Sequence, residues 1–213
     1  MEDIPTCILA LDPGTVNLGL AVLSQEGQLI HGEHLTPTCD SLAPYASLHD
    51  PLARWSKLLF ALVRLYSPIV IAYEDFTWRE EVERFRPDGT RSFGRRSGIN
   101  HPAMWGLIGI IRSLESAYGQ PIVVAYSTEW WTCELSGRLA LDKESRQVLI
   151  EQRLGQSIAQ GYGRHISDAA GCGLVALDHW HAATRQGVSL REFHAQRRES
   201  WRPRQVRTAG RRH

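Results

Sequence analysis

The sequence predicts an α/β protein, a five-stranded mixed sheet flanked by helices. Three observations carry the prediction. Two apolar runs joined by a tight Pro13-Gly14 turn open the chain. A helix-periodic segment then leads into a short β-rich run, Ile69-Val70-Ile71-Ala72-Tyr73, that stops at Glu74-Asp75. A second helical segment leads into Pro121-Ile122-Val123-Val124-Ala125-Tyr126-Ser127. Antiparallel runs first, followed by strands alternating with helices, specify a sheet of mixed direction with helices packed on it.

The elements follow in order. Ile8 to Asp12 reads as a buried strand, and Leu18 to Val22 as its antiparallel neighbour across the turn. Gln28 to Leu35 is a candidate third strand. Asp50-Pro51 starts a helix in which Leu52, Trp55, Leu58, Leu59, Leu62, Val63 and Tyr66 recur at helical spacing. After the strand that ends at Glu74, a charged loop runs from Thr77 to Asn100, and a helix is expected from about Pro102 to Tyr118. Short helices follow the fifth strand. The closing helix is rich in small residues, His165-Ile166-Ser167-Asp168-Ala169-Ala170-Gly171-Cys172-Gly173, which suits close packing on a sheet. From Gln186 onward apolar periodicity fades, so residues 1–186 read as one domain and 187–213 as a basic, mobile tail.

At 213 residues and 43% hydrophobic, the chain can bury one sizeable core. That limit matters because strand, Asp, Gly-Thr and strand also open the actin-like and sugar-kinase ATPases, which need two such cores to close around a nucleotide. The formal net charge of +1 hides local clusters, Arg91, Arg95 and Arg96 in the loop and Arg197, Arg198, Arg202, Arg204, Arg207, Arg211 and Arg212 near the end. Phosphate backbones respond to such patches rather than to the total. Cys7, Cys39, Cys133 and Cys172 have no Cys-x-x-Cys spacing and read as reduced. No signal-like or membrane-spanning run is evident, so a cytoplasmic protein without a membrane partner is expected.

The candidate chemistry lies in carboxylates at strand ends. Neighbouring strands are roughly 4.8 Å apart, so Asp12 and Glu74 at adjacent ends should face one small volume. Strand alternation sends Asp75 to the other side. In the closing helix the i, i+3 spacing puts His165 and Asp168 on one face. Hard divalent cations prefer oxygen ligands, and converging carboxylates are what they require. Asp178, His179 and His181 lie too far along, since Asp178 is roughly 15 Å beyond Asp168 at helical rise, and they read as a solvated face. Trp105, Trp130, Trp131 and Trp180 read as core or interface residues.

Taken together, Asp12 in its Asp-Pro-Gly turn, Glu74 after the fourth strand and the His165-x-x-Asp168-Ala169 helix resemble the RuvC-type Holliday junction resolvases, from about Cys7 to Ala183. Ser127 with Glu129-Trp130 is similar to the family's Ser-Pro-x-x-Val segment. Ser136-Gly137 through Ala140-Leu141-Asp142-Lys143 resembles its threonine-glycine loop and the Ala-Asp-Lys helix start. Two departures stand out. Trp131 to Leu135 carries no lysine where family members often have one, and the aromatic that stacks on an unpaired base has two candidates, Phe76 and Trp78, both off the usual offset.

The resemblance implies a ribonuclease-H-like fold and a metal-dependent endodeoxyribonuclease that resolves four-way DNA junctions by paired symmetric nicks, acting as a homodimer at the nucleoid. It implies two Mg²⁺ ions per active site, Mn²⁺ being possible, held by Asp12, Glu74, His165 and Asp168. It assigns junction contacts to Lys143, Arg91, Arg95, Arg96 and one of Phe76 and Trp78. The alternatives are a related nuclease acting on RNA or other branched DNA, and a branched-DNA binding module that does not cut.

Overall fold

The computed structural model describes residues 6–14, 17–36, 49–75, 83–85, 91–93, 101–138, 141–158 and 163–201. Its elements are β1 (Cys7–Asp12), β2 (Leu18–Ser24), β3 (Leu29–Leu35), α1 (His49–Tyr66), β4 (Val70–Glu74), β5 (Glu83–Phe85), β6 (Arg91–Phe93), α2 (His101–Tyr118), β7 (Ile122–Tyr126), α3 (Thr128–Ser136), α4 (Lys143–Leu154), α5 (Gly163–Gln186) and α6 (Leu190–Ser200). Five strands form the main sheet in the order β3-β2-β1-β4-β7, and β5 pairs with β6 in a separate ribbon. β1 pairs antiparallel with β2 and parallel with β4, and β4 pairs parallel with β7. The expected mixed sheet is the one observed.

The alternation of side chains along the strands divides the core into two layers. Leu9, Leu11, Ile71 and Tyr73 face α1 and α2, whereas Ile8, Ala10, Val70 and Ala72 face α5. Continuing the same alternation by two residues sends Asp12 and Glu74 to the α5 side. Both β1 and β4 are buried throughout, as expected of central strands covered on both faces. The helix-spaced residues anticipated from Leu52 to Tyr66 are buried or half-buried on α1.

α5 approaches the sheet closely at points where glycine or alanine leaves room. A Cβ on Gly19 would fall 2.1 Å from the His165 carbonyl oxygen, and one on Gly173 would fall 2.9 Å from the Ala10 Cβ. At Gly173 the helix also meets the end of the Leu23 side chain, at 2.7 Å from that Cβ position. Its first turn is pressed against the strand that pairs Gly19 with Asp12.

The end of the chain corrects the expectation of a mobile tail beginning at residue 187. Residues 190–200 form α6, opened by a capping box in which Ser189 and Glu192 exchange hydrogen bonds. Leu190 and Phe193 are buried, and Arg197 binds both Glu134 oxygens at 2.7 and 2.6 Å. The arginines beyond Trp201 lie outside the described residues. α6 also overturns the solvated reading of His179, which is buried beneath it and bonded to the Tyr126 hydroxyl at 3.0 Å. Asp178 does face solvent, paired with Arg153. Cys7, Cys133 and Cys172 are free thiols, and no described helix is long and apolar enough to cross a membrane.

Candidate active site

Asp12 ends β1, Glu74 ends β4, and His165 and Asp168 occupy the first turns of α5. The β1–β4 register pairs Leu11 with Tyr73, which sets Asp12 beside Glu74. Both carboxylates are nearly enclosed, at 8% and 9% exposure. His165 approaches from α5 with Nδ1 2.7 Å from Asp12 Oδ2, its ring still 40% exposed. All four residues singled out by sequence therefore stand in one place, at the end of the two central parallel strands. Asp75 is on the opposite parity, in the field of Tyr73 and Arg112 on the α2 side.

The electrostatics reflect crowding of like charge. Burial, followed by the nearby Asp12 and Asp168, pushes Glu74 up to about 7. Burial also raises Asp168, opposed by Arg146. His165 is raised chiefly by its hydrogen bond with Asp12. A carboxylate raised by burial and by neighbouring acids in a partly closed pocket is characteristic of functional sites.

Each acid is engaged by the protein itself. Glu74 accepts a hydrogen bond from the Thr128 hydroxyl on one oxygen, and Trp131 Nε1 lies 3.4 Å from the other. Asp12 is held by His165, and Asp168 faces Arg146 Nη1 at 3.4 Å. In this arrangement no group of three or more His, Cys, Asp or Glu side chains among the described residues is gathered as a metal would require. The chemistry of the donors nevertheless fits a hard divalent cation. Three carboxylates and an imidazole share a site where their mutual repulsion is only partly neutralised, and the oxygens now turned to internal partners are the type such ions take.

Lys143, the first residue of α4, is exposed and near enough for its charge to act on His165 and Asp168. Asp142 caps that helix through the Ser145 amide at 2.8 Å, which fixes where Lys143 emerges. Arg91 lies in β6, where only the backbone is described. Phe76, Trp78, Arg95 and Arg96 lie outside the described residues. Sequence reasoning missed Thr128, Trp131 and Arg146. Trp131 was readable only as a core aromatic, and Arg146 sits in a helix whose mean composition is polar, with nothing to mark it as buried.

No family model matches the chain, and no curated protein matches it by sequence. Solved structures do. The RuvC structure from Thermus thermophilus superposes with a TM-score of 0.62 at 21% identity, covering 86% of this chain and 98% of that one. The fold is that of RuvC. A second structure, T. thermophilus RuvC in complex with a Holliday junction substrate, matches with a TM-score of 0.59 at 19% identity over 85% of this chain and 96% of that one. The ribonuclease-H-like architecture expected from the strand order, and the RuvC fold implied by the resemblance, are thus the ones the chain adopts.

Proposed function

We propose that this protein is a metal-dependent, structure-selective endodeoxyribonuclease that resolves four-way DNA junctions by paired symmetric nicks. The observation that carries the proposal is the convergence of Asp12, Glu74, His165 and Asp168 at the end of the central strands, in a sheet with the RuvC fold. The T. thermophilus protein of that fold has been seen with a Holliday junction substrate, which supports the substrate class.

Asp12, Glu74 and Asp168 would supply the oxygens, and His165 a nitrogen, to two Mg²⁺ ions, or to Mn²⁺ in their place. Bound there, the ions would activate the attacking water and stabilise charge on the leaving oxygen. The chain's own groups do the rest. Thr128 and Trp131 hold the Glu74 carboxylate in one orientation, and Asp12 orients the His165 ring by bonding Nδ1. With Nδ1 on Asp12, the nitrogen His165 would give a metal is its other one, on a ring that is 40% exposed. Lys143 and the N-terminal amides of α4 offer positive potential to a phosphate entering past α5. Arg91, Arg95 and Arg96 would extend that positive border along the junction arms.

A junction with two-fold symmetry calls for two such sites related by a two-fold axis. α2 offers a face suited to self-association. Trp105 is 56% exposed, and Gly109 one turn later has no atom of the described residues within 4 Å of the position its Cβ would take. The deciding experiment is a Mg²⁺-dependent cleavage assay on four-way, forked and linear DNA and on an RNA–DNA hybrid. Paired nicks at symmetric positions of the four-way substrate are expected. Preferential cutting of the hybrid or fork would favour the related-nuclease reading, and tight junction binding without cutting in any metal would favour the binding module.

A further inference from the structure

Arg146 is a buried cation that the chemistry above does not use. It lies on α4 with its side chain only 8% exposed, 3.4 Å from Asp168. Its guanidinium carbon is 5.4 Å from the centre of the Trp131 ring, and its Nε has no hydrogen-bond partner among the described residues. A buried arginine serving only to join two helices normally makes bidentate, fully satisfied contacts, because an incompletely paired buried charge is costly. This one has a single long ion pair and an aromatic face beneath it. Such a contact neutralises charge without locking the carboxylate.

Its position explains how three carboxylates share this pocket. Asp12 is bonded by His165 and Glu74 by Thr128 and Trp131, which leaves Asp168 to Arg146. Trp131 links the two halves of the arrangement, since its N–H faces Glu74 while its ring carries Arg146. The segment from Trp131 to Leu135 that lacks lysine thus packs against an arginine arriving from the next helix.

We propose that Arg146 is a built-in counter-ion and positioning residue of the acidic site, holding Asp168 while the site is free of metal and yielding that carboxylate when a divalent cation binds. This inference rests on the metal-site reading above. It makes Arg146 a determinant of metal affinity. Its charge keeps the empty site folded and opposes the incoming cation, so loading becomes an exchange of one cation for another.

The test is Mn²⁺ binding to metal-free protein, followed by calorimetry at pH 8 for wild type, Arg146→Met, Arg146→Lys and Asp168→Asn. Methionine keeps the length and can still pack on Trp131. With the opposing charge removed, Arg146→Met should bind Mn²⁺ about five- to twentyfold more tightly, while its metal-free form melts at a lower temperature. Arg146→Lys, which keeps the charge, should restore an affinity near wild type. An Arg146→Met affinity equal to or weaker than wild type, with Asp168→Asn clearly weakened, overturns the inference and leaves the site reading intact. If Asp168→Asn binds Mn²⁺ as wild type does, the site reading fails and the inference with it.

A measurement on the unaltered protein covers the case in which Arg146→Met does not fold. The Nε–H resonance of Arg146, assigned by its loss in Arg146→Lys, should move on Mg²⁺ titration with the midpoint that calorimetry gives for Mg²⁺ on the same protein. A resonance that stays fixed at saturating Mg²⁺ overturns the exchange.

Discussion

Replacing Gly19 by alanine should damage the site more than it damages the fold. The new Cβ would sit 2.1 Å from the His165 carbonyl oxygen, 2.4 Å from its carbonyl carbon and 2.9 Å from the His165 Cβ. Two of these three obstacles are backbone atoms of an α-helix, which cannot rotate away. Ordinary contact begins at 3.4 Å, so the first turn of α5 must retreat from β2 by more than about 1 Å. That turn carries His165, the next carries Asp168, and the strand opposite Gly19 carries Asp12.

A displacement of about 1 Å among reacting groups can cost roughly a hundredfold in rate, whereas overpacking costs about 1–3 kcal/mol of stability. For a chain of this length each kcal/mol is roughly 2–4 °C in melting temperature. Gly173→Ala is the comparison. Its Cβ would meet Leu23 at 2.7 Å and Ala10 at 2.9 Å, a clash with side chains rather than helix backbone, placed roughly 12 Å further along α5. Single-turnover cleavage of a four-way junction and thermal unfolding should therefore separate the variants. Both should melt lower, but only Gly19→Ala should lose about two orders of magnitude in rate. Equal rate losses in the two, or a Gly19→Ala enzyme cutting near the wild-type rate, would refute the reasoning.

Further outcomes follow from the same geometry. Asp12→Asn, Glu74→Gln and Asp168→Asn should each abolish cutting while junction binding, read by gel shift, stays intact or tightens; Asp75→Asn should still cut, and an inactive Asp75 variant beside an active Glu74 one would reverse the assignment. His165→Asp should keep considerable cleavage activity and His165→Ala should lose most of it, equal wild-type rates in both marking the histidine as structural. Acid should release α6. Burial lowers His194 to about 4, so the folded protein resists a proton that the unfolded chain accepts below about 6.5, and stability declines as pH falls between those values. The loss is on the order of 2–3 kcal/mol, and it should disappear in His194→Gln, which retains a donor for the Ala125 carbonyl. Fluorescence of the stacked Trp130 and Trp201 during an acid titration reports it.

The parts of this protein legible in sequence are those governed by periodicity. Alternation along Ile8–Asp12 and Val70–Glu74 specifies both the two core layers and the side on which each acid emerges, so Glu74 could be separated from Asp75 without coordinates. The i, i+3 spacing of His165 and Asp168 likewise fixes their common face. α6 escaped notice because its apolar anchors, Leu190 and Phe193, are diluted by six charged or histidine neighbours in Leu190-Arg191-Glu192-Phe193-His194-Ala195-Gln196-Arg197-Arg198-Glu199-Ser200. The Ser189-x-x-Glu192 capping box was the readable signal.

Contacts that depend on two distant elements could not be read in this way, and α6 shows why they matter. Glu134 is held down to about 2 by His179, then by Arg197 and Trp130. At 3.9 Å the His179 ring acts through space, and Arg197 with its two short contacts is the tighter partner. Glu134 belongs to α3, the helix that also presents Thr128 and Trp131 to Glu74. α6 therefore steadies the outer side of the element whose inner side orients a site carboxylate. Charge read as diffuse attraction for DNA is, at Arg197, part of what holds that scaffold in place. Sequence patterns report which face a residue occupies, while the sign and strength of its electrostatic role depend on the helix that packs against it.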